Sequence, residues 1–111
     1  MITEIDRAEL KQKLDPKKSI PVEALPPEYF RKVHIPGGIH IPVDQIRSRA
    51  SEPIPTKDSE VIVYCVGPSC PASRQAAGEL TALGDDNVCH YAGGKEDWIQ
   101  AGLPPATKAA A

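Results

Sequence analysis

Val61-Ile-Val-Tyr-Cys-Val-Gly-Pro-Ser-Cys-Pro-Ala-Ser-Arg74 is the stretch on which the fold turns. Its first four residues form a short, unbroken apolar run, β-branched and aromatic, the pattern of a parallel strand covered on both faces. Cys65 then stands at the carboxyl end of that strand. Gly67 and Pro68 turn the chain toward Pro71, which suits the first position of a helix. The helix continues with Ala76, Ala77, Leu80 and Leu83 as an apolar stripe, and Gly84 is a natural terminator. Strand, glycine loop and proline-started helix together place this segment at the centre of a sheet.

On the C-terminal side, Asn87 to Tyr91 reads as the next strand, Gly93-Gly94 as a tight turn, and Lys95 to Gln100 as a last helix with Trp98 packed inward. On the N-terminal side, Asp6 and Glu9 have the spacing of a capping box, so a first helix runs to near Pro16 with Ala8, Leu10 and Leu14 facing the core. Ser19 to Leu25 is strand-like, and Pro21 limits how far it pairs on both sides. Pro26 to Lys32 starts a helical turn anchored by Tyr29 and Phe30. His34 to Pro42 alternates punctuators with isoleucines, which suits turns around one short strand near Ile39 to Ile41. Asp44 is placed to cap a short helix containing Ile46, and Ser51 to Glu60 is a loop too short to link domains. The sum is an α/β fold: one domain over residues 1–106, a flexible tail over 107–111, and a central, mostly parallel sheet with helices on both faces.

A chain of 111 residues buries a core without needing disulfide staples. The net charge of -2 is spread without a basic block, which argues against nucleic acid and membrane surfaces and leaves small molecules or proteins as partners. The charged N-terminus lacks the apolar core of a signal peptide and no later run reaches membrane-spanning length, so the cytoplasm is the expected compartment. There Cys65, Cys70 and Cys89 are expected to be mostly thiols.

The thiolate is the reactive form of cysteine, and its pKa falls where backbone N–H groups and a helix N-terminus face it. The loop from Cys65 to Cys70 offers that setting. Gly67 permits backbone shapes closed to other residues, and successive amides can converge on the sulfur as an anion nest. Ser69 and Ser73 add hydroxyls and Arg74 a nearby charge. The plainer reading is that a cysteine at a strand end is more often a small core hydrophobe. Zinc fares worse, because Cys65 and Cys70 are five apart and His34, His40 and His90 are scattered. A Cys65–Cys70 disulfide remains open as a stress or resolving state. His34 reads as a structural hydrogen bonder at a turn, and Cys89 as core.

Several ordered motifs together resemble a single-domain rhodanese-like protein over nearly the whole chain, from Ile5 to Pro104. "VEALPPEYF" is similar to the family's first-strand segment, with Glu23 where Asp is usual, and "HIPGGIHIP" to its H-I-P-G-A-x-x-I-P stretch. "VIVYC" resembles the strand ending in the active-site cysteine, "AAGELTALG" the helix after it, and "NVCHYAGGKEDWIQAGLP" the closing motif. The resemblance implies a sulfurtransferase in which Cys65 takes a sulfane sulfur from a donor such as thiosulfate and passes it to a thiophilic acceptor. That acceptor is a thiol, cyanide or a protein. Val66, Gly67, Pro68, Ser69, Cys70, Ser73 and Arg74 would then form the substrate-binding loop, with no metal or organic cofactor required.

Three departures from the family pattern stand out. The loop is longer by about two residues, counting back from Ala76-Ala77. Val33 replaces a usual Gly, and Leu25 replaces a common Arg. Cys70, just before the helix, is a resolving thiol, a second sulfur acceptor or a structural cap. Two rivals remain. Rhodanese-fold phosphatases and arsenate reductases use a cysteine, five residues and an arginine, but the first arginine after Cys65 is Arg74. A non-catalytic interaction or thiol redox-sensing module keeps the fold and uses the two thiols differently.

Overall fold

The computed structural model describes residues 2–14, 19–25, 27–49, 54, 57–67 and 69–103. Their order is β1 (Ile2–Ile5), α1 (Arg7–Leu14), β2 (Ile20–Glu23), α2 (Pro27–Lys32), β3 (Ile39–His40), a 3-10 turn (Val43–Gln45), α3 (Ile46–Arg49), β4 (Val61–Tyr64), α4 (Ala72–Ala82), β5 (Val88–Tyr91) and α5 (Gly94–Gln100). The strands form one sheet in the order β1-β5-β4-β2-β3. Every pairing is parallel. The chain is therefore α/β with β4 at the sheet centre, as its apolar run implies.

Alternation along each strand divides the core in two. Val61, Val63 and Val88 point to one face and pack with Ile46, Ala76, Ala77 and Leu80 from α3 and α4. Ile62, Tyr64, Cys89 and Tyr91 point to the other and meet Leu10 of α1 and Trp98 of α5. Helices thus cover both faces. No helix among the described residues is long and apolar enough to cross a membrane.

Local chemistry fixes the element ends. The capping box forms at α1, where Glu9 N–H donates to Asp6 Oδ1 (2.9 Å) and Asp6 N–H donates to Glu9 Oε1 (3.2 Å). Helix α4 closes on Gly84 at φ +102°, with Asp85 N–H donating to Leu80 O at 3.1 Å in a Schellman pattern. In β2 the amides of Ile20 and Ala24 face β4, donating to Glu60 O and Tyr64 O. Pro21 therefore points its missing donor toward β3, which pairs only from Val22 onward, so no ladder bond is lost.

Three expectations change. Strand β1, at the edge beside β5, was not foreseen: only Ile5 of its four residues is buried, so no apolar pattern announces it. The segment resembling the family's first strand is consequently β2. Ala8 is exposed while Leu10 is buried and Leu14 half-buried, because positions 10 and 14 share a helix face and position 8 does not. Asp44 caps no helix; it lies within the 3-10 turn, whose preceding residue is Pro42. The tail over 107–111 and most of the loop from Ser51 lie outside the described residues.

Candidate active site

Strand β4 ends at Tyr64, so Cys65 is the first residue beyond the central strand, at the carboxyl edge where parallel sheets leave their binding crevice. Its side chain is buried. The chain then turns back, with Cys70 N–H donating to Gly67 O at 3.2 Å, and passes through Pro71 into α4. This turn brings the Cα atoms of Cys65 and Cys70 to 6.3 Å, and their sulfurs are joined in a disulfide. For this pair the expectation of mostly free thiols is corrected, and the disulfide left open from the sequence is the state observed: a turn folded on itself puts cysteines five positions apart within ordinary disulfide span. Only Cys89 is a free, buried thiol, and burial pushes its pKa up. Pro68 lies outside the described residues.

The first turn of α5 clasps this loop. Lys95 N–H donates to Cys65 O (3.0 Å) and Glu96 N–H donates to Val66 O (2.8 Å). Gly94 makes the approach at φ +67°, and a Cβ there would lie 2.7 Å from Cys65 O, Val66 C and Gly67 N. Both the torsion and the space require glycine. Gly94→Ala is expected to cost about 1–3 kcal/mol from backbone strain, read as a lower urea midpoint. An unchanged midpoint would show that the loop yields without cost. The Glu96 side chain also lies against Gly67, where an added Cβ would meet Oε1 at 2.6 Å.

Below the loop Lys95 is buried and ties three segments together. Its Nζ donates to Glu23 Oε2 (3.0 Å), Tyr29 O (3.0 Å) and Val33 O (2.8 Å). Burial holds the Glu23 carboxyl above its ordinary pKa, and the Lys95 ammonium opposes that shift. Glu23 Oε1 has no hydrogen-bond partner among the described residues. Burial likewise drives the Tyr64 phenol well above its usual pKa, with the nearby Glu23 charge adding to it.

The remaining expected site residues are distributed unevenly. Val66, Gly67 and Cys70 lie in the clasped loop, and Ser69 is exposed on it. Ser73 and Arg74 turn elsewhere. Ser73 is buried with Oγ 2.8 Å from His90 Nε2, while His90 Nδ1 sits 3.3 Å from Glu4 Oε2. A carboxylate only accepts, so Nδ1 carries the proton that faces Glu4, and in the neutral ring of that tautomer the Ser73 hydroxyl donates to Nε2. The Ser73 hydroxyl is thereby engaged inside the fold. Arg74 is exposed and pairs with the same Glu4 at 3.5 Å. His34 is the structural hydrogen bonder anticipated, its Nδ1 2.9 Å from Phe30 O and its ring stacked on Phe30. Sequence reasoning did not assign Gly94, Lys95 or Glu96 to the site; the signal was the G-G-K-E segment of the closing motif.

Comparison with known proteins agrees with this fold. The family model described as a rhodanese-like domain matches residues 6–101. The chain is 32% identical over 107 residues to a helix-turn-helix-type transcriptional regulator of Mycobacterium tuberculosis, Rv0324, covering 90% of this chain and 43% of the regulator. It is 32% identical over 73 residues to the thiosulfate sulfurtransferase PspE of Escherichia coli, covering 64% of this chain and 65% of that protein. The chain thus spans less than two thirds of either relative. Among solved structures, the BH2092 protein of Bacillus halodurans superposes with a TM-score of 0.85 at 28% identity, over 94% of this chain and 76% of that one. With the matched residues running from the capping box of α1 through the Cys65 loop to the end of α5, the chain belongs to the rhodanese-like domain family.

Proposed function

We propose that the chain is a sulfurtransferase acting through a persulfide on Cys65, with thiosulfate as a donor and a thiol, cyanide or a protein as acceptor. The observation that carries this reading is the position of Cys65 at the carboxyl end of the central strand, opening a glycine loop that leads to the N-terminus of α4. In the reaction the Cys65 thiolate attacks the outer sulfur of thiosulfate. A new sulfur–sulfur bond forms, the old one breaks, and sulfite leaves with the electron pair. Backbone amides of the loop from Cys65 to Cys70 would cradle the anionic donor and leaving group, a role that hydrogen-bond donors in a sheltered loop perform well. The name of the Escherichia coli relative supports the choice of donor.

Cys65 held in the disulfide cannot attack, so reduction comes first. Reduced protein given thiosulfate is expected to release one sulfite per chain. The Cys70→Ser variant is expected to gain one sulfur atom by intact mass, removable by cyanide as thiocyanate. Protein left unreduced is expected to do neither. The Cys65–Cys70 bond, together with a transcriptional regulator among the relatives, also favours a thiol redox-sensing module as a second reading. No sulfite and no sulfur gain, with the disulfide simply reforming under mild oxidant, would establish that second reading instead.

A further inference from the structure

We infer that Cys70 is a resolving thiol that expels hydrosulfide from the Cys65 persulfide, so that this site reduces sulfane sulfur to sulfide as well as transferring it. The inference rests on the persulfide reading above. What points to it is the atom to which Cys70 is bonded: the Sγ of Cys65 itself. In a persulfide that same Sγ is the inner sulfur, carrying the outer sulfur as its substituent. A thiolate able to bond to it there is placed to displace whatever it carries.

The step balances without an outside oxidant. The Cys70 thiolate attacks Cys65 Sγ, the Cys65–Cys70 bond forms, and the bond to the outer sulfur breaks with its electron pair leaving as hydrosulfide. The outer sulfur is reduced and the two cysteines are oxidised. Attack by a thiolate on a bonded sulfur is ordinary exchange chemistry, and it runs faster when the leaving group is the weaker base. Hydrosulfide is a weaker base than an alkyl thiolate. An in-chain thiol also acts at an effective concentration of about millimolar or more, ahead of dilute external thiols.

The structure then shows the product of the step, and its two halves differ in a useful way. Cys65 is buried, with its carbonyl and that of Val66 held by the first turn of α5. Cys70 is half-buried and lies on the turn into α4. A reductant therefore reaches Cys70 first, and attack on its sulfur expels Cys65 as the thiolate, which restores the nucleophile. The reductant is a dithiol, a small molecule or a redox protein with paired cysteines. Over one cycle thiosulfate and dithiol become sulfite, hydrogen sulfide and disulfide.

The test is a single turnover without oxygen, added thiol or cyanide. Reduced protein receives one equivalent of thiosulfate, sulfite and sulfide are both quantified, and the intact mass is read. The wild type is expected to release one sulfite and one hydrosulfide per chain and to end with two hydrogens fewer. Cys70→Ser and, as a second variant, Cys70→Ala are expected to release sulfite, release no hydrosulfide and retain the extra sulfur. A wild-type persulfide as long-lived as that of the variants would overturn the inference and leave the sulfurtransferase reading standing. Equal hydrosulfide release from wild type and both variants would also overturn it. Absence of sulfite from every protein would remove the persulfide reading, and this inference with it.

Discussion

Replacing Cys65 by serine is expected to reduce sulfite release from thiosulfate by at least about three orders of magnitude, the scale on which loss of a covalent nucleophile acts. The variant should also show no gain of sulfur by intact mass. Serine keeps the shape of the side chain and removes the property that matters, because a hydroxyl is scarcely ionised at neutral pH while a thiol is partly so. The fold should survive. The residue is buried at 1% exposure, and a new hydroxyl there costs about 1–3 kcal/mol if it finds no partner. Loss of activity must therefore be read beside an unfolding curve measured on the same sample. Sulfur still carried by the Cys65→Ser chain would move the nucleophile to Cys70, which stands at the entrance to α4.

Lys95→Met should produce the largest loss of stability, about 3–5 kcal/mol, as expected when one partner of a buried ion pair is removed. Methionine fills the space of the aliphatic stem, so the change isolates the charge. Without the ammonium the Glu23 carboxylate is buried unpaired, and the carbonyls of Tyr29 and Val33 lose their donor. Burial already sets the Glu23 pKa above its unfolded value, and loss of Lys95 raises it further. A carboxyl whose folded pKa is raised supports the fold below its unfolded pKa. That support is lost as pH rises through the folded pKa. The deficit of the variant should hence shrink on acidification and grow toward neutral pH, measured by urea denaturation across that range. Glu23→Gln combined with Lys95→Met should recover part of the loss. A deficit under about 1 kcal/mol for Lys95→Met would mean that the pair only breaks even with its desolvation.

The central strand, the helix after it and their terminator were legible because each carries its own local signal: four apolar residues in a row, an i, i+4 stripe and a glycine. The capping box at Asp6 and Glu9 was legible for the same reason. Strand β1 was not, since an edge strand with one buried residue owes its structure to β5, more than eighty positions away. That omission also hid the destination of Arg74. Its partner Glu4 lies on β1, and without β1 the arginine reads as a charge near the loop. The place of Cys65 at a strand end and the turn beside it could be read from the local pattern of strand, glycine loop and proline. The residues that fasten the turn could not, because Gly94, Lys95 and Glu96 reach it only when α5 docks. What a one-dimensional reading lacked was the close approach of two backbones.

The pairing of Ile2–Ile5 with Val88–Tyr91 also constrains how the chain matures on the ribosome. At about 5–20 residues per second, the nascent segment holding Ile2 waits several seconds before its partner strand has been made. Such a distant closure slows folding, because loop entropy is lost before any pairing compensates for it. In the interval Ile2 and Ile5 stay open to chaperones or to stray pairing. The cysteine loop follows the same schedule, for the amides that clasp it lie in α5, among the last parts of the domain to emerge.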